Sequence, residues 1–320
     1  MMTNAVPKAV ASQQVLAAIS AGLEAAPASI HPKYFYDTLG SRLFDAICAL
    51  DEYYPTRTEA AIFASYGSEI AQAIGPGATL IDLGAGNCAK AASLFPLIQP
   101  GQYVPVDISA DYLHAAVAGL KTRFPAIEMM PLALDFSESF ALPPSVRRDR
   151  RMFFYPGSSI GNFAPDAARR FLRGLHHQCD MDGGVLIGFD LVKPLPVLTA
   201  AYDDALGVTA AFNLNVLRHL NRLIGADFDV ARWRHVAFFN EEESRIEMHL
   251  EAKQSHVVHW NGGERRFAEG DRVHTENSYK YTQSSAVDLL AEAGFRARHM
   301  WVDQQGWFAV VQADVDGEGA

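Results

Sequence analysis

An apolar run that ends in two spaced glycines, Thr79-Leu80-Ile81-Asp82-Leu83-Gly84-Ala85-Gly86-Asn87-Cys88-Ala89-Lys90, constrains this chain more than any other segment. It is the pattern of a buried parallel strand that turns sharply into a helix N-terminus, where a nucleotide-like ligand is held. Gly84 and Gly86 supply backbone conformations that side chains forbid and let a ligand approach the main chain, while Ala89 lets the helix lie close to the sheet. The string Gly84-x-Gly86-x-x-Ala89 also fits the dinucleotide fingerprint, so a nicotinamide cofactor is one reading of it.

Two carboxylates favour a different ligand. Asp82 lies two residues before the first glycine, where it would repel a pyrophosphate and attract a cation. Asp107 closes the next apolar run, Gln102-Tyr103-Val104-Pro105-Val106-Asp107, at the spacing where a carboxylate accepts hydrogen bonds from ribose hydroxyls. S-adenosylmethionine has no phosphate, carries a sulfonium and an ammonium, and keeps both ribose hydroxyls. It suits the pair better than NAD does.

At 320 residues, with 49% of them hydrophobic, the chain can build one large or two smaller cores. The formal charge of -10, with Arg147-Arg148-Asp149-Arg150-Arg151 the sole basic cluster, speaks against a nucleic-acid surface. No stretch approaches the roughly 20 apolar residues of a membrane span, and the N-terminus does not read as a secretion signal, so the expectation is a cytoplasmic protein that engages no membrane. Cys48, Cys88 and Cys179 are too scattered for a disulfide framework or a zinc site. Cys88 could be a reactive thiol at a helix start, but a small loop residue explains it more simply. His256-x-x-His259 with His249 is thin support for a metal, and no metal ligand is assigned.

Thr56-Arg57-Thr58-Glu59 reads as a capping box for a helix over 60–74, stopped by Gly75-Pro76-Gly77. Strands over 79–83, 103–106, 127–132, 151–155 and 184–191 then alternate with helices around 90–97, 111–123 and 164–179. Such alternation predicts a parallel, doubly wound α/β sheet. After Lys193-Pro194 the rhythm breaks into a helical stretch over 200–224, a strand over 232–239, and an alternating strand over 245–252 with which 256–260 is expected to pair. This predicts an inserted α+β domain. A helix ending at Ala293-Gly294-Phe295 and a hairpin over 298–302 and 308–312 close the chain. The expected division is a cofactor domain of 57–193 with 280–316 and a substrate domain of 10–56 with 194–279.

The doubly wound sheet with a terminal hairpin resembles the seven-stranded, Rossmann-like methyltransferases that use S-adenosylmethionine. Six further strings narrow the resemblance: Lys33-Tyr34-Phe35-Tyr36-Asp37, Glu52-Tyr53-Tyr54-Pro55-Thr56-Arg57, Gly157-Ser158-Ser159-Ile160-Gly161-Asn162, Ala201-Tyr202-Asp203-Asp204, Gly207-Val208-Thr209-Ala210-Ala211-Phe212-Asn213 and His274-Thr275-Glu276-Asn277-Ser278-Tyr279-Lys280-Tyr281. Together, and nearly end to end, they resemble the histidine Nα-methyltransferases of ergothioneine biosynthesis. The resemblance implies cofactor contacts at Gly84, Lys90, Asp107, Asp135 and Phe136, beside the glycine turn and Asp82 already singled out. It implies substrate contacts at Tyr53, Asn162, Tyr202, Met248, Glu276 and Ser278, with Tyr36 close by. Tyr36 and Tyr53 are then the candidates for assisting loss of the amine proton, through water.

The expected reaction is trimethylation of the L-histidine α-amine to hercynine by an enzyme that acts as a monomer. A related branch methylates tryptophan derivatives, for which an imidazole-reading carboxylate at Glu276 would have no purpose. A non-catalytic S-adenosylmethionine-binding protein is a more distant alternative.

Overall fold

The computed structural model describes residues 13–136 and 141–316. They form two compact units, one of residues 55–193 and 279–316, the other of residues 13–54 and 194–278.

In the first unit, the strands Thr79–Leu83, Arg151–Tyr155 and Gly184–Asp190 are buried at every position, as strands covered on both faces must be. The sheet runs in the order Phe295–Val302, Phe308–Val315, Gly184–Asp190, Arg151–Tyr155, Thr79–Leu83, Gln102–Asp107, Glu128–Met129. Phe308–Val315 runs antiparallel to both of its neighbours, and every other pairing in this order is parallel. Successive side chains point to opposite faces, so each strand feeds two cores. Ile81, Val104, Phe153 and Ile187 meet Phe171, Leu172 and Leu175 of the helix Pro165–His176 and Leu289 and Leu290 of the helix Gln283–Glu292. Leu80, Tyr103, Phe154 and Leu186 meet the helices Tyr54–Ile74, Ala89–Ile98 and Ala110–Arg123 on the other side.

The second unit holds a sheet in the order Ala28–Ser29, Arg272–Tyr279, Arg245–Ala252, Trp233–Asn240. Its first pair is parallel, with Ala28 opposite Val273. The Asp37 carboxylate caps the helix Thr38–Cys48 by accepting the Gly40 N–H at 2.7 Å, and also accepts from Asn215 at 2.8 Å and from Arg222. One carboxylate thus fixes a helix start against the helix Val208–Leu223. A Cβ at Gly40 would lie 1.7 Å from the Phe35 carbonyl oxygen, so no larger residue fits there.

Four elements differ from the sequence reading. The helix expected from residue 60 begins at Tyr54, because Pro55 is preorganised for a first turn; the Thr56–Glu59 pattern falls inside it and caps nothing. The strand expected over 127–132 is two short ones, Glu128–Met129 and Leu132–Ala133, separated by Met130 and Pro131, whose ring nitrogen has no proton for the ladder. The helical stretch over 200–224 is two helices, Leu195–Tyr202 and Val208–Leu223, since Asp204 accepts the N–H groups of Val208 and Thr209 at 2.9 and 2.7 Å and caps a new start. His256–Trp260 pairs with Gly263–Phe267 through Asn261-Gly262, with Gly262 at φ 102°, and not with residues 245–252.

Candidate functional site

Each unit gathers its own set of site residues. In the first, the strand Thr79–Leu83 ends in a loop with Gly84 at φ 72°, Gly86 at φ 52° and Cys88 at φ 59°. The Gly84 and Ala85 N–H groups donate to the Val106 carbonyl at 2.9 and 3.1 Å. The Gly86 N–H donates to Asp107 Oδ2 at 3.0 Å, and the Ser109 N–H to Asp107 Oδ1 at 3.0 Å. Asp107 is therefore held in one orientation by the loop it serves, and each oxygen retains a lone pair for a further donor. Phe136 stands at the same turn: its Cζ would lie 3.7 Å from a Cβ on Gly84, and its ring meets Tyr155 edge-on at 6.1 Å. Asp135 beside it is exposed.

Asp82 is 3% exposed and accepts the Tyr103 hydroxyl at 2.7 Å. Burial pushes its carboxyl up to about 7, against the lowering effect of that hydrogen bond. Cys88 is buried beside the same groups and burial pushes its thiol up to about 11, so it is a packed loop residue and not a nucleophile.

Lys90 donates to Glu59, a fully buried carboxylate whose other oxygen accepts the Gly157 N–H at 2.8 Å. Gly157 and Ser158 both have positive φ, and the turn they begin ends in the single-turn helix Ser159–Asn162. Gly161, buried in that turn, has the Tyr279 carbonyl oxygen 2.9 Å from where its Cβ would be. Asn162 is thus delivered by a backbone that has no slack. Nearby, Asp190 accepts from both Lys193 and Lys280, all three buried.

The second unit brings together Tyr36, Tyr53, Tyr202, Glu276 and Ser278. Tyr36 packs edge-on against Phe44 at 5.7 Å and Phe212 at 5.8 Å; Phe44 and Tyr53 are 6.2 Å apart, and Tyr53 and Tyr202 6.4 Å. Burial pushes the Tyr53 phenol well above its ordinary value, helped by Tyr202, Cys48, Tyr36 and Glu276 in that order. The Tyr202 hydroxyl and Ser278 Oγ lie 2.7 Å apart, either one donating. Glu276 and Ser278, at alternate positions of the strand Arg272–Tyr279, are both buried. Met248 is 2% exposed, and its carbonyl accepts from Thr275 Oγ1 at 2.9 Å, so it joins that strand through its backbone and the core through its side chain.

Two supporting residues, one in each unit, escaped the sequence reading. The Tyr202 carbonyl can only accept, so His235 Nε2, 2.8 Å away, carries the proton, and His235 Nδ1 then accepts from Asn213 Nδ2 at 2.8 Å. Burial lowers the His235 pKa and suits this neutral form. The other is Glu59, which the capping-box pattern had absorbed. Of the histidines weighed as metal ligands, His256 Nδ1 sits on the Gln254 carbonyl, His249 on Glu247 and His259 on Asp227.

S-adenosylmethionine fits the first set. A Cβ on Gly86 would meet nothing within 4 Å, leaving space over the loop, and Asp107 is aimed by two backbone donors. Lys90 and Phe136 stand at the edges of the same turn.

Residues 15–315 match the family described as histidine-specific methyltransferase, SAM-dependent. The histidine N-alpha-methyltransferase of Mycolicibacterium smegmatis is 42% identical over 298 residues, covering 91% of this chain and 92% of that protein. The enzyme of the same description from Mycobacterium tuberculosis is 38% identical with the same coverage. A solved structure, the PH0226 protein of Pyrococcus horikoshii, superposes with a TM-score of 0.50 at 14% identity, over 88% of this chain and 100% of that one, and shares the fold.

Proposed function

As this chain belongs to the S-adenosylmethionine-dependent histidine-specific methyltransferases, we propose that it methylates the α-amine of L-histidine three times to give hercynine, the first step of ergothioneine biosynthesis. Bound S-adenosylmethionine supplies a methyl group activated by the sulfonium next to it. The unit of 55–193 and 279–316 serves that cofactor: Gly84 and Gly86 give room at the turn, Asp107 takes the ribose hydroxyls, Asp135 and Phe136 the adenine, and Lys90 completes the set. The unit of 13–54 and 194–278 supplies Tyr53, Tyr202, Glu276 and Ser278 for the amino acid.

The observation that carries the reading is the burial of Glu276 and Ser278 beside Tyr202, two polar side chains two residues apart on one strand. They are suited to bracket the two nitrogens of an imidazole, one of which is a donor and the other an acceptor in the neutral ring. An indole has a single N–H and no acceptor nitrogen, so the pair favours histidine over tryptophan. Asn162 and Tyr202 are assigned to the substrate carboxylate.

The nucleophile must be the free amine, and an α-ammonium has a pKa of roughly 8 even at a peptide N-terminus, where the adjacent amide makes it more acidic than in a free amino acid. The phenol of Tyr53, raised by burial, stays protonated at neutral pH, so its role is a neutral hydrogen-bond partner and the proton leaves through water. The rings of Tyr36, Phe44, Tyr53 and Phe212 disfavour a solvated ammonium there and still offer aromatic faces to the quaternary product. Alignment of nitrogen, methyl and sulfur supplies most of the rate. S-adenosylmethionine is a cytoplasmic metabolite, and the enzyme is assigned to that compartment; among the described residues no helix is long and apolar enough to cross a membrane.

Mass spectrometry of histidine incubated with the protein and S-adenosylmethionine tests the reading. Three successive methyl increments support it, and unchanged histidine, or faster methylation of tryptophan, rejects it.

A further inference from the structure

Glu59 is fully buried, yet every hydrogen bond described for its side chain goes to a segment that carries an assigned site residue. One oxygen accepts from the Lys90 ammonium, at the second residue of the helix that follows the glycine loop. The other accepts the Gly157 N–H, the first residue of the turn that delivers Asn162. The Lys90 Nζ would lie 3.5 Å from a Cβ on Gly157, so the three groups form one compact junction. Space for the carboxylate is made by Gly188 in the strand below: a Cβ there would sit 2.6 Å from Glu59 Oε1. In sequence, Glu59 belongs to the helix that begins directly after Tyr53.

A buried carboxylate needs charge and hydrogen-bond partners to offset its desolvation, and Glu59 finds one of each on two separate site-bearing segments. A carboxylate kept only to stabilise the fold would be replaceable by an apolar residue of similar volume at little cost. We propose that Glu59 is a positioning residue for methyl transfer. It fixes Lys90 on the cofactor side and the Gly157–Asn162 turn on the substrate side from a single rigid point. The proposal rests on the roles assigned above to Lys90 and Asn162.

The test compares Glu59→Gln and Glu59→Ala in the full chain, with S-adenosylhomocysteine affinity measured by calorimetry and histidine KM by steady-state kinetics. Gln keeps an acceptor for Gly157 and loses the charge opposite Lys90, so it should weaken S-adenosylhomocysteine about tenfold and leave the histidine KM within about twofold. Ala loses both and should raise the histidine KM about tenfold as well. In a Lys90→Met background, Glu59→Gln should no longer affect cofactor affinity, a coupling that a merely structural carboxylate would not produce. If Glu59→Ala does not fold, the Gln split and the Lys90 cycle carry the test. Unchanged constants in Glu59→Gln, or undiminished effects in the Lys90→Met background, overturn the proposal. If Lys90→Met and Asn162→Ala themselves move neither constant, it is the assignment of those two residues that fails.

Discussion

At Asp82 a carboxyl group lies inside the sheet with its pKa raised to about 7, while in an unfolded chain it would ionise near 4. Between those values the unfolded chain has released a proton that the folded one keeps. The stability this group contributes is therefore complete below about pH 4, declines through the window, and is lost once pH passes 7. Asp82→Asn keeps an acceptor for the Tyr103 hydroxyl and cannot ionise. Its melting temperature should match the native protein at pH 4 and exceed it by several degrees at pH 8; equal gaps at both pH values would contradict the assignment. At Glu276 the expected outcome is kinetic: Glu276→Ala raises the histidine KM by about a hundredfold, as loss of a charge-assisted bond does, while S-adenosylhomocysteine affinity is unchanged. Glu276 and Ser278 were legible only through the resemblance, since an alternating Glu-x-Ser on a strand otherwise reads as a solvated face. Glu59 was not, because Thr56-x-x-Glu59 has a local explanation as a cap, and no local pattern reports that a side chain is satisfied by a turn nearly a hundred residues away.

Among the elements, those with a strong period or a continuous apolar run, such as 79–83, 151–155 and 184–190, read directly from the sequence. Those decided by one side chain did not. Asp204 splits what composition presents as one helical stretch, and its two backbone acceptances at Val208 and Thr209 are a cap that the spacing alone disguises. Asp204→Ala should destabilise the protein by about 1–2 kcal/mol in urea unfolding. Asn261-Gly262, by contrast, is a hairpin signal plainly present in the sequence, and it overrides pairing of 256–260 with the preceding strand because a two-residue connection closes at less entropic cost than a longer one. Thr282 caps the helix Gln283–Glu292 reciprocally with Ser285, and Thr282→Ala should cost about 1 kcal/mol without altering the histidine KM.

For the whole molecule, the two units predict two patterns of ligand protection. S-adenosylhomocysteine should slow amide hydrogen exchange in residues 79–109, and histidine in residues 272–278; protection of the same peptides by either ligand alone would contradict the division of labour. That division also has a history written into its connectivity. Ala28 and Ser29 complete their sheet by pairing in parallel with Val273 and His274. A nascent chain leaving the ribosome must therefore carry its early strand unpaired until residue 273 has been made, a wait of tens of seconds at roughly 5–20 residues per second. The cofactor strands at 79–83, 102–107 and 151–155 emerge in that interval. The machinery that recognises the amino acid is consequently finished late in synthesis, and a chain released before residue 273 would leave its first strand without a partner.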